Sequence, residues 1–223
     1  MTARSAPASR DELLRRAHAL AGLGLGEIAA QVGAAVPADR RRAKGWAGAL
    51  VEAALGAPGG SRPEPDFVHL GVELKTVPVG TDGRPLESTH VCTAPLTGTE
   101  GASWETSLVR RKLACVLWVP VLAPRGVAPA AIRVGAPLLW APDPDQARAL
   151  RCDWEELMEF IALGRVDEIT GDIGMVLQLR PKAANGRSAT AAHDAAGNAV
   201  AVLPRGFYLR ARFTAEILAT GRR

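Results

Sequence analysis

The chain is short of cysteine and histidine, and each shortage argues against a class of function. Three cysteines, Cys92, Cys115 and Cys152, lie far apart and form no CxxC pair. That argues against a disulfide framework and suggests buried thiols in a reducing compartment. Four scattered histidines argue against zinc. Any metal would instead be a hard ion held by carboxylates. No apolar run approaches the ~20 residues needed to span a membrane. The opening "MTARSAPASRDELLRR" has no apolar signal core. The expectation is a cytoplasmic chain with no membrane partner.

What is present is an ordinary globular composition. The chain has 223 residues, 48% hydrophobic and 22% charged, enough for one large domain or two small lobes. Net charge is +4, a mild basic bias that permits nucleic acid without establishing it. Basic residues cluster in "DRRRAK", "RRK", "RPK" and "PRGFYLRAR". Arginine dominates, and the only lysines are Lys44, Lys75, Lys112 and Lys182. A lysine retained against such a bias marks a position where a compact ammonium serves better than a planar fork.

The first eight residues read as a flexible N-terminus. An "SRDE" capping box from Ser9 starts a helix through about Leu20. A short helix follows in "GLGLGEIAAQVG", and a third in "ADRRRAKGWAGALVEAALG", stopped by Gly56. Then come strands in "DFVHLGVELKT" and "THVCTA", a helix in "SWETSLVRRKLA", and a buried strand in "CVLWVPVL", where Pro120 suggests an edge or a strand end. "LLW" is another short strand. Asp143 caps a long amphipathic helix ending near Gly164. "MVLQLRP" and "GFYLRA" read as strands, with a last helix from about Thr214 and "AANGRSATAAHDAAGN" as the most loop-like segment. The pattern is mixed α/β, a sheet core flanked by helices.

One stretch carries charge where burial is expected: Asp66, Glu73 and Lys75 in "DFVHLGVELKT". Burying such groups is costly unless they are paired or bind metal. Glu73 and Lys75 share a strand face, with Cα atoms roughly 6.8 Å apart, while Val72 and Leu74 face the core. In extended chain Asp66 would lie about 24 Å from Glu73. The backbone must therefore bend, and Gly71 is the natural place. The two carboxylates could then share one Mg²⁺, with Lys75 placed to orient water or stabilise negative charge. Asp followed by Glu-x-Lys is the PD-(D/E)xK nuclease pattern, although E-x-K is also a common surface ion pair.

The surrounding words extend the pattern. "KGWAGALVEAALGA", "PDFVHLGVELKTVPV", "GRPLESTHVCTAPLTG", "WETSLVRRKLACVLWVPV", "GAPLLWAP", "DWEELMEFIALGRVDEIT", "LQLRPKAAN" and "LPRGFYLRARFT" together resemble the MutH family of DNA mismatch-repair endonucleases, in matching order over about residues 9–218. The resemblance implies a restriction-endonuclease-like fold, residues 1–223 forming one endonuclease domain of two lobes that grip DNA. It implies Mg²⁺-dependent nicking (one or two ions) of the unmethylated strand 5′ to G in hemimethylated GATC, by a monomer that MutL activates and MutS recruits indirectly.

Carried residue by residue, it makes Asp66, Glu73 and Glu52 metal-binding carboxylates, Lys75 the catalytic lysine, and Lys112 a basic group near the cut phosphate. Lys44 and Gly45 open a DNA-contacting segment. Arg180 or Lys182 would donate to guanine in the major groove, and Tyr208 would sit near adenine N6. His90 stands where the family carries an aromatic that grips DNA. Two other readings remain open: a GATC restriction-type enzyme cutting both strands, and an inactive DNA-binding adaptor.

Overall fold

The computed structural model describes residues 5–38, 45–60, 62–124, 126–182 and 189–221. The chain opens with helices α1 (Arg10–His18), α2 (Leu25–Val32) and α3 (Trp46–Leu55), followed by strands β1 (Glu73–Val79) and β2 (Thr89–Thr93). Helix α4 (Leu108–Leu113) leads to β3 (Val116–Leu122), β4 (Arg133–Val134), β5 (Leu138–Trp140) and the long α5 (Pro144–Ala162). Strands β6 (Leu177–Pro181), β7 (Thr190–His193), β8 (Ala199–Val202) and β9 (Arg205–Leu209) precede α6 (Ala211–Thr220).

These elements form two compact units. The first comprises Met1–Glu87, Ala114–Ala141 and Ala215–Arg223, the second Ser88–Leu113 and Pro142–Thr214. In the first, β1 pairs in parallel with β3, which also pairs antiparallel with β4 and β5. This mixed sheet packs with the first three helices around a core that includes Leu13, Ile28, Leu50, Val72, Leu74 and Leu117. In the second, an antiparallel sheet runs β2-β9-β6, with β7 and β8 as a separate hairpin.

Local chemistry explains most boundaries. The Ser9 hydroxyl accepts from Glu12 N–H, and the Glu12 carboxylate accepts from Ala8 N–H. The Asp143 carboxylate accepts from Gln146 N–H at 2.8 Å, with Pro144 beginning α5. Pro7 is buried and its carbonyl lies 2.7 Å from His69 Nε2.

The sequence expectations need correcting at five points. Pro120 lies within β3, the sheet's inner strand, and not at an edge or end. Its carbonyl accepts from Gly135 N–H, so its missing donor falls on the side where β3 exchanges β5, paired at residues 116–118, for β4, paired at 121–122. The "SWETSLVRRKLA" helix is divided, because Ser107 closes a 3₁₀ turn at Trp104–Thr106 and its hydroxyl then accepts from Arg110 N–H at the start of α4.

The loop-like segment contains strand β7 and the turn that leads into β8, so it forms the first half of the β7–β8 hairpin. Asp194 makes that turn by accepting from Ala196 and Asn198 N–H, and Gly197 supplies φ +82°. Residues 183–188 of the segment lie outside the described residues. The final helix starts at Ala211, three residues early. Cys152 is exposed, unlike Cys92 and Cys115.

Candidate active site

The stretch from Asp66 to Lys75 folds back on itself. Phe67 and Val72 form an isolated antiparallel bridge around a single 3₁₀ turn, Val68–Leu70. Gly71 closes the turn at φ +63°, a left-handed conformation that glycine reaches without steric cost. Arg10 fixes it, donating from Nε and Nη2 to Leu70 O at 2.9 and 2.8 Å.

The return brings Asp66 onto the start of β1. Glu73 N–H points at β3, where it donates to Cys115 O, so Leu74 N–H points the other way, off the sheet's edge. Asp66 Oδ2 accepts that hydrogen bond at 2.8 Å. The Asp66 carboxylate is thereby set beside the residue that follows Glu73.

Glu73 is only 2% exposed, and Lys75 Nζ approaches its Oε1 to 2.5 Å. The pair shares a strand face with buried Val77 and Val79, while Leu74 enters the core on the other. A buried carboxylate is tolerated here because the hydrogen-bonded Lys75 ammonium offsets its lost hydration. On α3, a Cβ at Gly48 would stand 3.3 Å from Thr76 Oγ1, so the missing side chain lets helix and strand approach. Glu52 follows one turn later on the same helical face and is half-buried. Gly45 caps α3 at φ +81°. Lys44 lies outside the described residues.

A carboxylate donor set suits a hard cation. Among the described residues no three His, Cys, Asp or Glu side chains gather into a ready-made cation cage. Magnesium does not require one, since it is commonly held by one or two carboxylates, substrate phosphate and water. Asp66 and Glu73 fit that mode.

The other site residues fall in the second unit. Lys112 lies on α4 and is buried. His90, Tyr208 and Gln178 stand in register across β2, β9 and β6. The His90 and Tyr208 rings meet edge to face with centroids 5.0 Å apart, and the Arg180 guanidinium lies 5.9 Å from the Tyr208 centroid. Lys182 Nζ donates to Thr93 Oγ1 at 2.6 Å. Phe207 and Leu209, of opposite parity to Tyr208 on β9, are fully buried. One sheet face thus carries His90, Tyr208, Arg180 and Gln178.

Sequence reading missed Gly206. A Cβ there would lie 3.1 Å from Tyr208 Cε2 and 3.3 Å from His90 Cδ2. The signal was a glycine inside a strand pattern, which marks close approach. Thr93 and Gln178 were also missed, and nothing in their local sequence distinguishes them.

A mixed sheet with an Asp, Glu-x-Lys set folded onto its edge strand defines an α/β endonuclease of the restriction-enzyme type. A family profile described as DNA mismatch repair enzyme MutH matches residues 55–153. A DNA mismatch repair protein MutH of Klebsiella pneumoniae subsp. pneumoniae is 57% identical over 215 residues, covering 96% of this chain and 93% of that protein. The MutH proteins of Vibrio cholerae serotype O1 (55% over 213 residues, 96% of each chain) and Salmonella paratyphi B (57% over 213 residues, 96% and 92%) are similar to it as well. This chain belongs to the MutH family and is a DNA mismatch repair endonuclease, a hydrolase of phosphodiester bonds. Nucleases generally use a divalent metal. Among the described residues no helix is long and apolar enough to cross a membrane.

Proposed function

We propose that the protein nicks the unmethylated strand 5′ to G in hemimethylated GATC, with Mg²⁺, as a cytoplasmic monomer activated by MutL and recruited indirectly by MutS. The chain then works as one endonuclease domain of two lobes. The observation that carries this reading is the Asp66 carboxylate held on Leu74 N–H, beside the Glu73–Lys75 pair.

Asp66 and Glu73 would hold the ion, with Glu52 as a further carboxylate. Bound there, it would neutralise phosphate charge and favour hydroxide formation. Lys75 orients the attacking water and stabilises negative charge as it develops on the phosphate. Lys112 serves as a second cation toward the cut phosphate. Lys44 and Gly45 open a DNA-contacting segment ahead of α3.

Arg180 or Lys182 donates to guanine O6 and N7. Tyr208, with His90 against it, senses the adenine N6 position, where a methyl group would crowd the ring. His90 takes part in gripping the DNA, stacking more weakly than a larger aromatic would.

The test is supercoiled plasmid carrying GATC in unmethylated, hemimethylated and fully methylated form, with and without MutL. The expected result is nicked circle from the first two, faster with MutL, and none from the third. Rapid linear product without MutL would instead identify a restriction-type enzyme.

A further inference from the structure

Strand β6 carries Gln178 and Arg180 and leads into Lys182, yet its register is not set by its ladder with β9 alone. The preceding loop is fastened by two charged side chains that the chemistry above does not use. Asp153, on α5 and 5% exposed, accepts three consecutive backbone hydrogen bonds. Its Oδ1 takes Met175 N–H at 2.8 Å, and its Oδ2 takes Val176 N–H at 2.6 Å and Leu177 N–H at 2.7 Å.

Arg210, just beyond β9, holds the same loop by its carbonyls. It donates from Nε to Gly174 O at 2.8 Å and from Nη2 to Gly171 O and Ile173 O at 2.7 and 2.8 Å. Its own N–H donates to Val176 O at 2.8 Å. Gly174 completes the arrangement at φ +80°, where a Cβ would collide with Leu177 O at 2.0 Å.

A buried carboxylate on three donors and a guanidinium on three acceptors form charge-assisted bonds, roughly twice as strong as neutral ones. Two opposite charges therefore grip one short loop from its two kinds of backbone group. A peptide unit displaced there would shift every residue along β6, and a slip of one residue would turn Arg180 to the opposite face of the sheet.

We propose that Asp153 and Arg210 are positioning residues for sequence reading. They fix the loop at 171–176 and so hold Arg180 and Lys182 at the height on the Tyr208 face where guanine is read. This rests on the GATC reading above and adds to it the residues that set its fidelity.

The test uses the full-length protein with Asp153→Asn, Arg210→Lys and Arg210→Met. Nicking is compared on GATC and on its single-base variants, and amide exchange is followed across β6. Asp153→Asn and Arg210→Met are expected to lower discrimination about tenfold or more, raising KM on GATC more than they lower kcat. Mg²⁺ affinity, read by calorimetry without DNA, stays at the parent value. The amides of residues 177–180 and 182 exchange faster, and Arg210→Lys recovers part of the discrimination.

Folded variants with unchanged discrimination and unchanged exchange along β6 overturn the proposal. An equal loss on all sites, with kcat alone reduced, overturns it too. Should Asp153→Asn fail to fold, the two Arg210 variants decide. A parent that cuts GATC and its variants alike refutes the GATC reading instead, and positioning is then judged on exchange at 177–180 and 182.

Discussion

The two units treat charge in opposite ways. In the first unit Glu73 is sunk into the protein and closed by Lys75 at 2.5 Å. In the second, Arg180 and Lys182 are exposed beside a half-buried Tyr208. Burial strengthens every electrostatic interaction at the place where bonds would break. Exposure leaves cations able to exchange water and counterions for phosphate and base edges. The contrast teaches that holding an ion and reading a sequence would require different surroundings, and the two sheets offer one of each kind.

The contrast is broken most severely at Glu73. Glu73→Gln keeps the volume but removes the charge that would hold metal. Nicking is expected to fall about a thousandfold or more, the equivalent of roughly 4 kcal/mol. DNA affinity measured without metal should stay within about twofold of the parent. Alanine is a poorer probe, because it would leave Lys75 largely buried without the carboxylate it faces. Glutamine's retained activity would show that Glu73 is structural.

Tyr208→Ser is the next largest disturbance. It should reduce the preference between methylated and unmethylated strands about tenfold, within the range for a lost base contact. Mg²⁺ affinity, measured by calorimetry, should not move. Gly206→Ala sharpens the comparison by pushing the pair apart without removing either ring. Its Cβ would lie 3.1 Å from Tyr208. A loss of about 1–3 kcal/mol in stability is expected from overpacking, with a smaller loss of strand preference than Tyr208→Ser causes.

The mildest test is chemical. A thiol reagent at neutral pH should modify Cys152 alone, with Cys92 and Cys115 reacting only after denaturation. Burial pushes the Cys115 thiol above its ordinary pKa, which lowers its thiolate population further. Rapid labelling of two or three thiols in the native protein would contradict this.

Legibility in the sequence followed the range of the interactions involved. The bend before Val72 could be read because charge in an apolar stretch, a nearby glycine and strand parity are all local signals. The caps at Ser9 and Asp143 were visible for the same reason. The partner of Asp66 was not, since a backbone N–H left over at a sheet edge appears only once β1 is known to lie outermost. The place of Pro120 depends on where β4 and β5 meet β3, which no local pattern encodes. The β7–β8 hairpin was hidden by its alanines, which have little strand preference. The grouping of His90, Tyr208 and Arg180 required the pairing of three strands far apart in sequence.

The folding back of Asp66 has a consequence outside chemistry. Strand β1 is outermost in its sheet, and an unguarded rim of this kind recruits strands from neighbouring molecules. Here Asp66 occupies the Leu74 donor, Pro78 has no donor to offer, and Leu86 N–H already takes the Pro78 carbonyl. The acid proposed to bind metal thus also covers part of that rim, and a variant lacking it is expected to aggregate more readily, as light scattering would show, as well as to lose activity.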